Sequence, residues 1–283
     1  MNTRTDLTIE LTEGVGDAEG VRTDSRTVQG VKVSRTVIST EEAAARIGKA
    51  QGEYYTLETL PFSDSGFQPE ECFEAAADIL RDMLPRHGCI LAVGLGNKGV
   101  TPDALGPKTA ERILATRHIP GELAEKCGLS PLRSTAVIAP GVLGQTGLEA
   151  AEVVRSLCAA LCPSAVIVID AMAARSLSRL GCTVQISDSG ISPGAGVGND
   201  RPAIDSGLLG TKVISVGVPT VVEMRTAVAA LSGDEPATRV GTGMIVTPRE
   251  IDLLTDRAAR FIAMAVNAAL QPHLHPSEIA VLF

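Results

Sequence analysis

The chain is poor in aromatic side chains, with no tryptophan, two tyrosines and five phenylalanines in 283 residues. Its core must therefore be filled mainly by aliphatic residues. Hydrophobic residues make up 45% of the sequence, enough for one large domain or two small ones. No apolar run reaches the roughly 20 residues that a membrane-spanning helix needs, and Met1–Glu10 lacks the apolar stretch of a secretory signal. Basic charge is scarce as well: the net charge is −8, and the lysines and arginines are dispersed. That argues against direct nucleic-acid binding, which calls for a basic stripe. The four histidines (87, 118, 273 and 275) form no HExxH pair, and His273 and His275 sit in a proline-bounded tail that reads as solvated. The six cysteines (72, 89, 127, 158, 162 and 182) make no CxxC and read as reduced cytosolic core thiols. Cys158 and Cys162 share a helix face, but without a nearby histidine they make a poor metal site. GxSxG and Walker-type GKS or GKT motifs are missing too, so serine-hydrolase and P-loop chemistry have no anchor.

What is present is an alternation of apolar runs and helical spacings. Val31–Ile38 and Tyr54–Leu60 read as strands, with a short helix at Glu41–Ala50 between them. The tripeptide Arg-Thr-Asp at Arg4–Asp6 returns at Arg22–Asp24, which is too little for a repeat. Helical spacing runs from Pro69 to Pro85. A strand at Ile90–Val93 leads through a glycine loop into a helix reaching about Thr116. Further strands are expected at Thr135–Ala139, Ala165–Ile169, Thr183–Ile186, Lys212–Val216 and Met244–Val246. Helices are expected over 146–162, from Ala171 onward, and after Thr247-Pro248-Arg249-Glu250. Buried strands alternating with helices predict an α/β fold: three α/β/α layers around a mainly parallel central sheet. We expect one domain over 1–283, with an N-terminal elaboration over about 1–68.

The stretch CILAVGLGNKGVTPDALGP (Cys89–Pro107) organises the rest. Gly94-x-Gly96-x-x-Gly99 after a strand matches the dinucleotide fingerprint, but its context fails. The helix starts only after Thr101-Pro102, and the next strand ends in Pro140-Gly141 instead of a ribose-binding acid. Asp-Ser-Gly occurs at Asp64–Gly66 and Asp188–Gly190, the tripeptide of pepsin-like proteases. Those enzymes are β-rich, and the Asp64 copy reads as a turn ahead of a helix. A third reading uses acids just beyond buried strands. Asp103 follows the first strand of the α/β region, Asp170 ends another, and Asp188 lies on a neighbouring loop. In a parallel sheet such acids gather at one edge. There a desolvated carboxyl beside a second one holds a proton and suits general acid–base activation of water. The same acids can ligate a metal, and each alone can be a cap or turn residue. Asn97 and Gln145 are candidate donors to an oxyanion, or braces for their loops. Arg175 can steer acidic substrate residues or form a salt bridge within its own helix. Gly190, Gly194, Gly196 and Gly198 allow either turns or a close approach to a peptide.

Several motifs resemble the spore germination protease family of endospore formers: GLGNKGVTPDALGPK (94–108), PGVLGQTGLEA (140–150), VIDAMAARSLSRLGCTVQISDSGISPGAGVGN (168–199), GVPTVV (217–222) and VTPREID (246–252). RTDLTIEL at Arg4–Leu11 is similar to that family's mature N-terminus. The resemblance implies a phosphorylase/hydrolase-like fold shared with hydrogenase-maturation proteases. It also implies an aspartic-type endopeptidase that degrades small acid-soluble DNA-binding spore proteins at germination, cutting next to glutamate in a short acidic motif. The two proposed catalytic aspartates of the family fall on Asp103 and Asp170, with Asn97, Gln145 and Asp188 as possible lining residues. No cofactor and no required metal are implied, since no histidine occurs between His118 and His273. A cytoplasmic, spore-core location and a homotetramer are further expectations. The family's zymogen carries a propeptide, whereas only Met1-Asn2-Thr3 precede the RTDL motif here. The family's charged insertion is also reduced to the 23-residue span Glu223–Ile245. A metal-dependent or hydrogenase-maturation-like processing protease, and a non-catalytic binding protein on this fold, are the alternatives.

Overall fold

The computed structural model describes residues 5–13, 19–119, 121–126, 132–198, 201–232, 243–274 and 278. Cys127, His275, the residues ahead of Thr5 and the middle of the short 223–245 crossing lie outside these. Nine strands form one sheet: β1 (Val21–Val28), β2 (Val31–Ile38), β3 (Gly52–Glu58), β4 (Ile90–Gly94), β5 (Thr135–Ile138), β6 (Ala165–Ala174), β7 (Thr183–Ser187), β8 (Lys212–Glu223) and β9 (Ile245–Val246). Their order is β1-β2-β3-β7-β8-β6-β4-β5, with β9 paired to the end of β8. The helices are α1 (Thr8–Thr12), α2 (Glu41–Ile47), α3 (Pro69–Met83), α4 (Leu105–Ala110), α5 (Gly121–Lys126), α6 (Leu143–Thr146), α7 (Ala150–Leu161), α8 (Ser206–Leu209), α9 (Met224–Ser232) and α10 (Ile251–Leu270).

The α/β class holds, but the sheet is mixed. Only β5, β4, β6 and β8 run parallel. The N-terminal strands β1–β3 and then β7 continue the same sheet in antiparallel fashion. Strand direction cannot be read from an apolar run, and β7 is as short and as buried as the parallel strand β4.

Alternation along the parallel strands sorts the two faces. Ile90, Ala92, Ile167 and Ile169 pack with Phe73, Leu80, Phe261 and Ile262 of α3 and α10. Leu91, Val93, Val166 and Val168 pack with Ala151, Val154 and Cys158 of α7. The alternation continues to Asp170, which follows Val166 and Val168 on the α7 face. From Ala258 onward α10 is buried nearly all round, its alanines allowing close approach to neighbours. The few aromatics are concentrated here, with Phe62 edge-on to Phe67 and Phe261 at centroid separations of 4.7 and 5.6 Å.

Three differences from expectation bear on the site. β6 continues through Ala171-Met-Ala-Ala in place of a helix, because its partner β8 also continues, through the β-branched Val218, Val221 and Val222. Pairing overrides the helical propensity of alanine here. Pro219 sits inside β8 opposite Met172, where the register shifts between Met172 and Ala173, so its missing N–H falls at an irregularity. The helix expected over 146–162 is α7 and starts only at Ala150; a separate short helix, α6, precedes it and ends at Gly147, with φ of 73°. β1 and α9 were not anticipated; the side chains of β1 are almost all exposed and polar, which hides a strand from a search for apolar runs. Of the described cysteines only Cys158 is buried. Asp64 is the turn residue expected of it, accepting from the Gly66 N–H at 2.7 Å.

Candidate active site

The loop after β4 is shaped by glycines that permit contact between backbones. A Cβ on Gly94 would lie 2.1 Å from the Gly106 carbonyl oxygen, and one on Gly106 would lie 2.1 Å from that of Leu95 and 2.6 Å from that of Ile169. The start of α4 therefore presses directly on β4 and β6, where any side chain would hold it away. Gly96, at φ of 113°, turns the chain over the carbonyl of Asp103. This is the physical content of the Gly-x-Gly pattern, which serves packing here and not a pyrophosphate. The Leu95 N–H donates to the Ile169 carbonyl at 2.8 Å, tying the loop to the residue before Asp170. From the other side, the Thr220 hydroxyl of β8 donates to the Pro102 carbonyl at 2.8 Å. Residues Thr101–Asp103 form a single 3-10 turn between these ties.

The outcome is a cleft of about 330 Å³ at the carboxyl ends of β4, β6 and β8, lined by both Asp103 and Asp170. Asp103 is half-buried and accepts from the Asn97 N–H at 2.8 Å. Burial raises its proton affinity, and that hydrogen bond partly offsets the rise. Asp170 is only 5% exposed and accepts from the Ala171 N–H at 2.9 Å. Burial first, then the negative charges of Asp103 and Asp6, hold its pKa well above the ordinary carboxylate value, against the Ala171 hydrogen bond. One cleft thus contains an acid that keeps its proton and another that gives its proton up more readily, an arrangement suited to acid–base work on water.

The other candidates fall elsewhere. Asp188 does not line the cleft. β7 runs antiparallel to β8, so its end points away from the carboxyl edge, and the Asp188 carboxylate accepts from the Glu53 N–H at 2.8 Å. The side chains of Asn97 and Gln145 are bonded to each other at 2.8 Å, and Asn97 also accepts from the Gly99 N–H. They brace the loops that flank the cleft, and it is the Asn97 backbone that reaches Asp103. Arg175 is not on a helix and does not line the cleft: its guanidinium donates to the Glu10 carbonyl. Gly190, Gly194 and Gly198 are left-handed turn residues, whereas Gly196 is a true close approach. A Cβ there would meet the Asp6 carboxylate at 2.1 Å.

Asp6 and Glu149 are cleft-lining acids that reading the sequence missed, and Asp6 is the one whose charge reaches Asp170. The segment carrying it is bound along the end of β6. Glu10, buried, accepts from the N–H groups of Arg175 and Ser176 at 2.7 and 2.8 Å and from the Thr5 hydroxyl. Gln185 bridges the same segment, accepting from the Thr8 N–H and donating to the Asp6 carbonyl. The signal is faint: Asp6 lies just ahead of the five-residue α1, whose only acid is Glu10. The cleft also holds Arg201, the only cation among its described lining residues, paired with Glu149 at 2.9 Å. Among the described residues, no three or more His, Cys, Asp or Glu side chains are grouped to hold a metal ion. Nor is any helix among them long and apolar enough to cross a membrane.

Comparison with known proteins bears on a site of this make-up. A profile of the germination protease family, a peptidase family, matches residues 3–232. The germination protease of Caldanaerobacter subterraneus is 37% identical over 313 residues, covering 98% of this chain and 96% of its own. That of Clostridium perfringens is 36% identical over 319 residues, covering 98% of each. Among solved structures, the NiFe hydrogenase maturation protease HycI of Thermococcus kodakarensis aligns at a TM-score of 0.41 and 20% identity, over 68% of this chain and 98% of its own. With matches of this length and identity, the chain belongs to the germination protease family.

Proposed function

We propose that this protease is an aspartic-type endopeptidase that degrades small acid-soluble DNA-binding spore proteins during germination, in the spore core, cutting next to a glutamate in a short acidic motif. The observation that carries the chemistry is the pair of acids in one cleft: half-buried Asp103, its proton affinity raised by burial, and buried Asp170, raised by burial and then by the charges of Asp103 and Asp6. Asp103, with its backbone donor and greater exposure, is ionised first and takes a proton from water as the water oxygen attacks the peptide carbonyl carbon. Asp170 gives its proton to the carbonyl oxygen. On collapse the C–N bond breaks and the amine nitrogen leaves with a proton relayed from Asp103. The oxyanion proton returns to Asp170, so one water has been consumed and the pair is reset. Arg201 offers an acidic substrate side chain a partner in an otherwise acidic cleft. Assembly into a homotetramer is part of the same proposal.

The test is digestion of a purified small acid-soluble spore protein, with fragments identified by mass. We expect a few cuts, each next to glutamate, at the same rate with and without EDTA. Scattered cutting, no cutting, or activity lost to the chelator and regained with a divalent metal would overturn the reading.

A further inference from the structure

The N-terminal segment is held to β6 by more than docking requires. Glu10, Leu7 and Gln185 already fix it, through buried hydrogen bonds and apolar contact with Met172 and Ala174. Asp6 adds a carboxylate on the cleft wall, locked in place twice over. Its N–H donates to the Ala173 carbonyl at 2.9 Å, and its Oδ2 accepts from the Ala173 N–H at 2.8 Å. The Gly196 N–H is a second donor, at a position where only glycine fits. Ala173 is three residues beyond Asp170 on the same strand, immediately after the register shift. We propose that Asp6 is a positioning residue of the hydrolytic centre, presenting a fixed negative charge to the end of β6 where Asp170 sits. This rests on the two-carboxylate reading above and extends it to a third acid.

Burial raises the proton affinity of Asp6 most, and Glu10 in the same segment adds to the rise; Lys49, just beyond α2, and the Ala173 and Gly196 donors favour the ionised form. Asp103 lines the cleft from the 3-10 turn and Asp170 from β6, and Arg201 and Glu149 line it as an ion pair. Three interacting carboxyls titrate as a unit, so the ionised Asp6 keeps the proton on Asp170 to higher pH than the pair alone would.

The experiment is the pH profile of kcat/KM for the full chain and for Asp6→Asn, which keeps the side-chain shape and an acceptor oxygen. The alkaline limb should move to lower pH, with a loss of about three- to tenfold above it and near-unchanged rates on the acid side, where Asp6 is neutral in both proteins. A profile of unchanged shape, whether at full rate or uniformly reduced, overturns the proposal and leaves Asp6 a structural clamp. A second measurement is independent of activity: titration of the Asp170 carboxyl carbon by NMR, its signal identified by its loss in Asp170→Asn. Asp170 should deprotonate at lower pH in Asp6→Asn, and an unmoved titration again overturns the inference. If Asp170→Asn proves fully active, the two-carboxylate reading fails, and the NMR titration still decides the role of Asp6.

Discussion

Asp170→Asn is expected to give a protein that melts higher than the wild type at neutral and alkaline pH and no longer cuts its substrate. The carboxyl of Asp170 is buried beside two other acids, so its folded-state pKa lies above its unfolded value. A group of this kind binds its proton more tightly in the folded chain. Below the unfolded pKa both states are protonated and there is no penalty. As pH rises toward and through the folded pKa, the unfolded state ionises first and folding loses stability. Asparagine has no charge to desolvate, its Oδ1 can still accept from the Ala171 N–H, and its amide can donate toward Asp103. We expect a gain on the order of 1 kcal/mol or more at neutral pH, roughly 2–4 °C of Tm per kcal/mol for a chain of this size, vanishing as the pH is lowered. Activity should fall by about a thousandfold or more, since the acid that protonates the carbonyl oxygen is gone. Thermal melts of both proteins across pH, with rates measured on the same samples, check both halves. A variant that melts lower at every pH would mean that Asp170 is held mainly by favourable contacts.

The second large effect concerns Gly106→Ala. The added Cβ would meet the Leu95 oxygen at 2.1 Å, the Leu95 nitrogen at 2.5 Å and the Ile169 oxygen at 2.6 Å. All three are backbone atoms in buried strand and loop, so no side chain can swing aside. α4 must move away from the sheet, weakening the Leu95–Ile169 hydrogen bond and shifting Asp103, three residues earlier, off the cleft. We expect a loss of about 3 kcal/mol or more in urea unfolding and little residual cleavage. Gly144→Ala is the matched control. It lies in α6 with nothing within 4 Å of the added carbon, and should change stability by about 0.5–1 kcal/mol at most, toward greater stability.

The two cleft acids were legible because the sequence marks them locally: Asp170 follows an apolar run that announces its own burial, and Asp103 closes the loop and turn after β4. Asp170 keeps even its face, by alternation from Val166 and Val168. What did not transfer were the properties set by partners distant in sequence. Asp188 looks equivalent to Asp170 along the chain, yet β7 runs the other way, so the same local pattern delivers its carboxylate to Glu53. Arg175 read as helical because Ala-Met-Ala-Ala favours a helix, and only the pairing of β6 with β8 carries the strand on to where Arg175 meets Glu10. Asp6 is the extreme case. Its hydrogen bonds go to residues 167 and 190 positions away, and nothing in Thr5-Asp6-Leu7 alone distinguishes a cleft wall from a surface turn. Of the fingerprint glycines, Gly94 and Gly96 are required, by backbone contact and not by a bound phosphate, whereas a Cβ on Gly99 would meet only the Asn97 side chain; Gly106, outside the fingerprint, is required as well.

The central claim is that Asp103 and Asp170 act as one unit, and the most direct measurement is a double-mutant cycle on kcat/KM with Asp103→Asn, Asp170→Asn and both together. Groups that share one proton-transfer step fail together, so each single variant should lose about as much activity as the double, on the order of a thousandfold. Losses that multiply, or a single variant cutting within tenfold of the wild type, would contradict the claim.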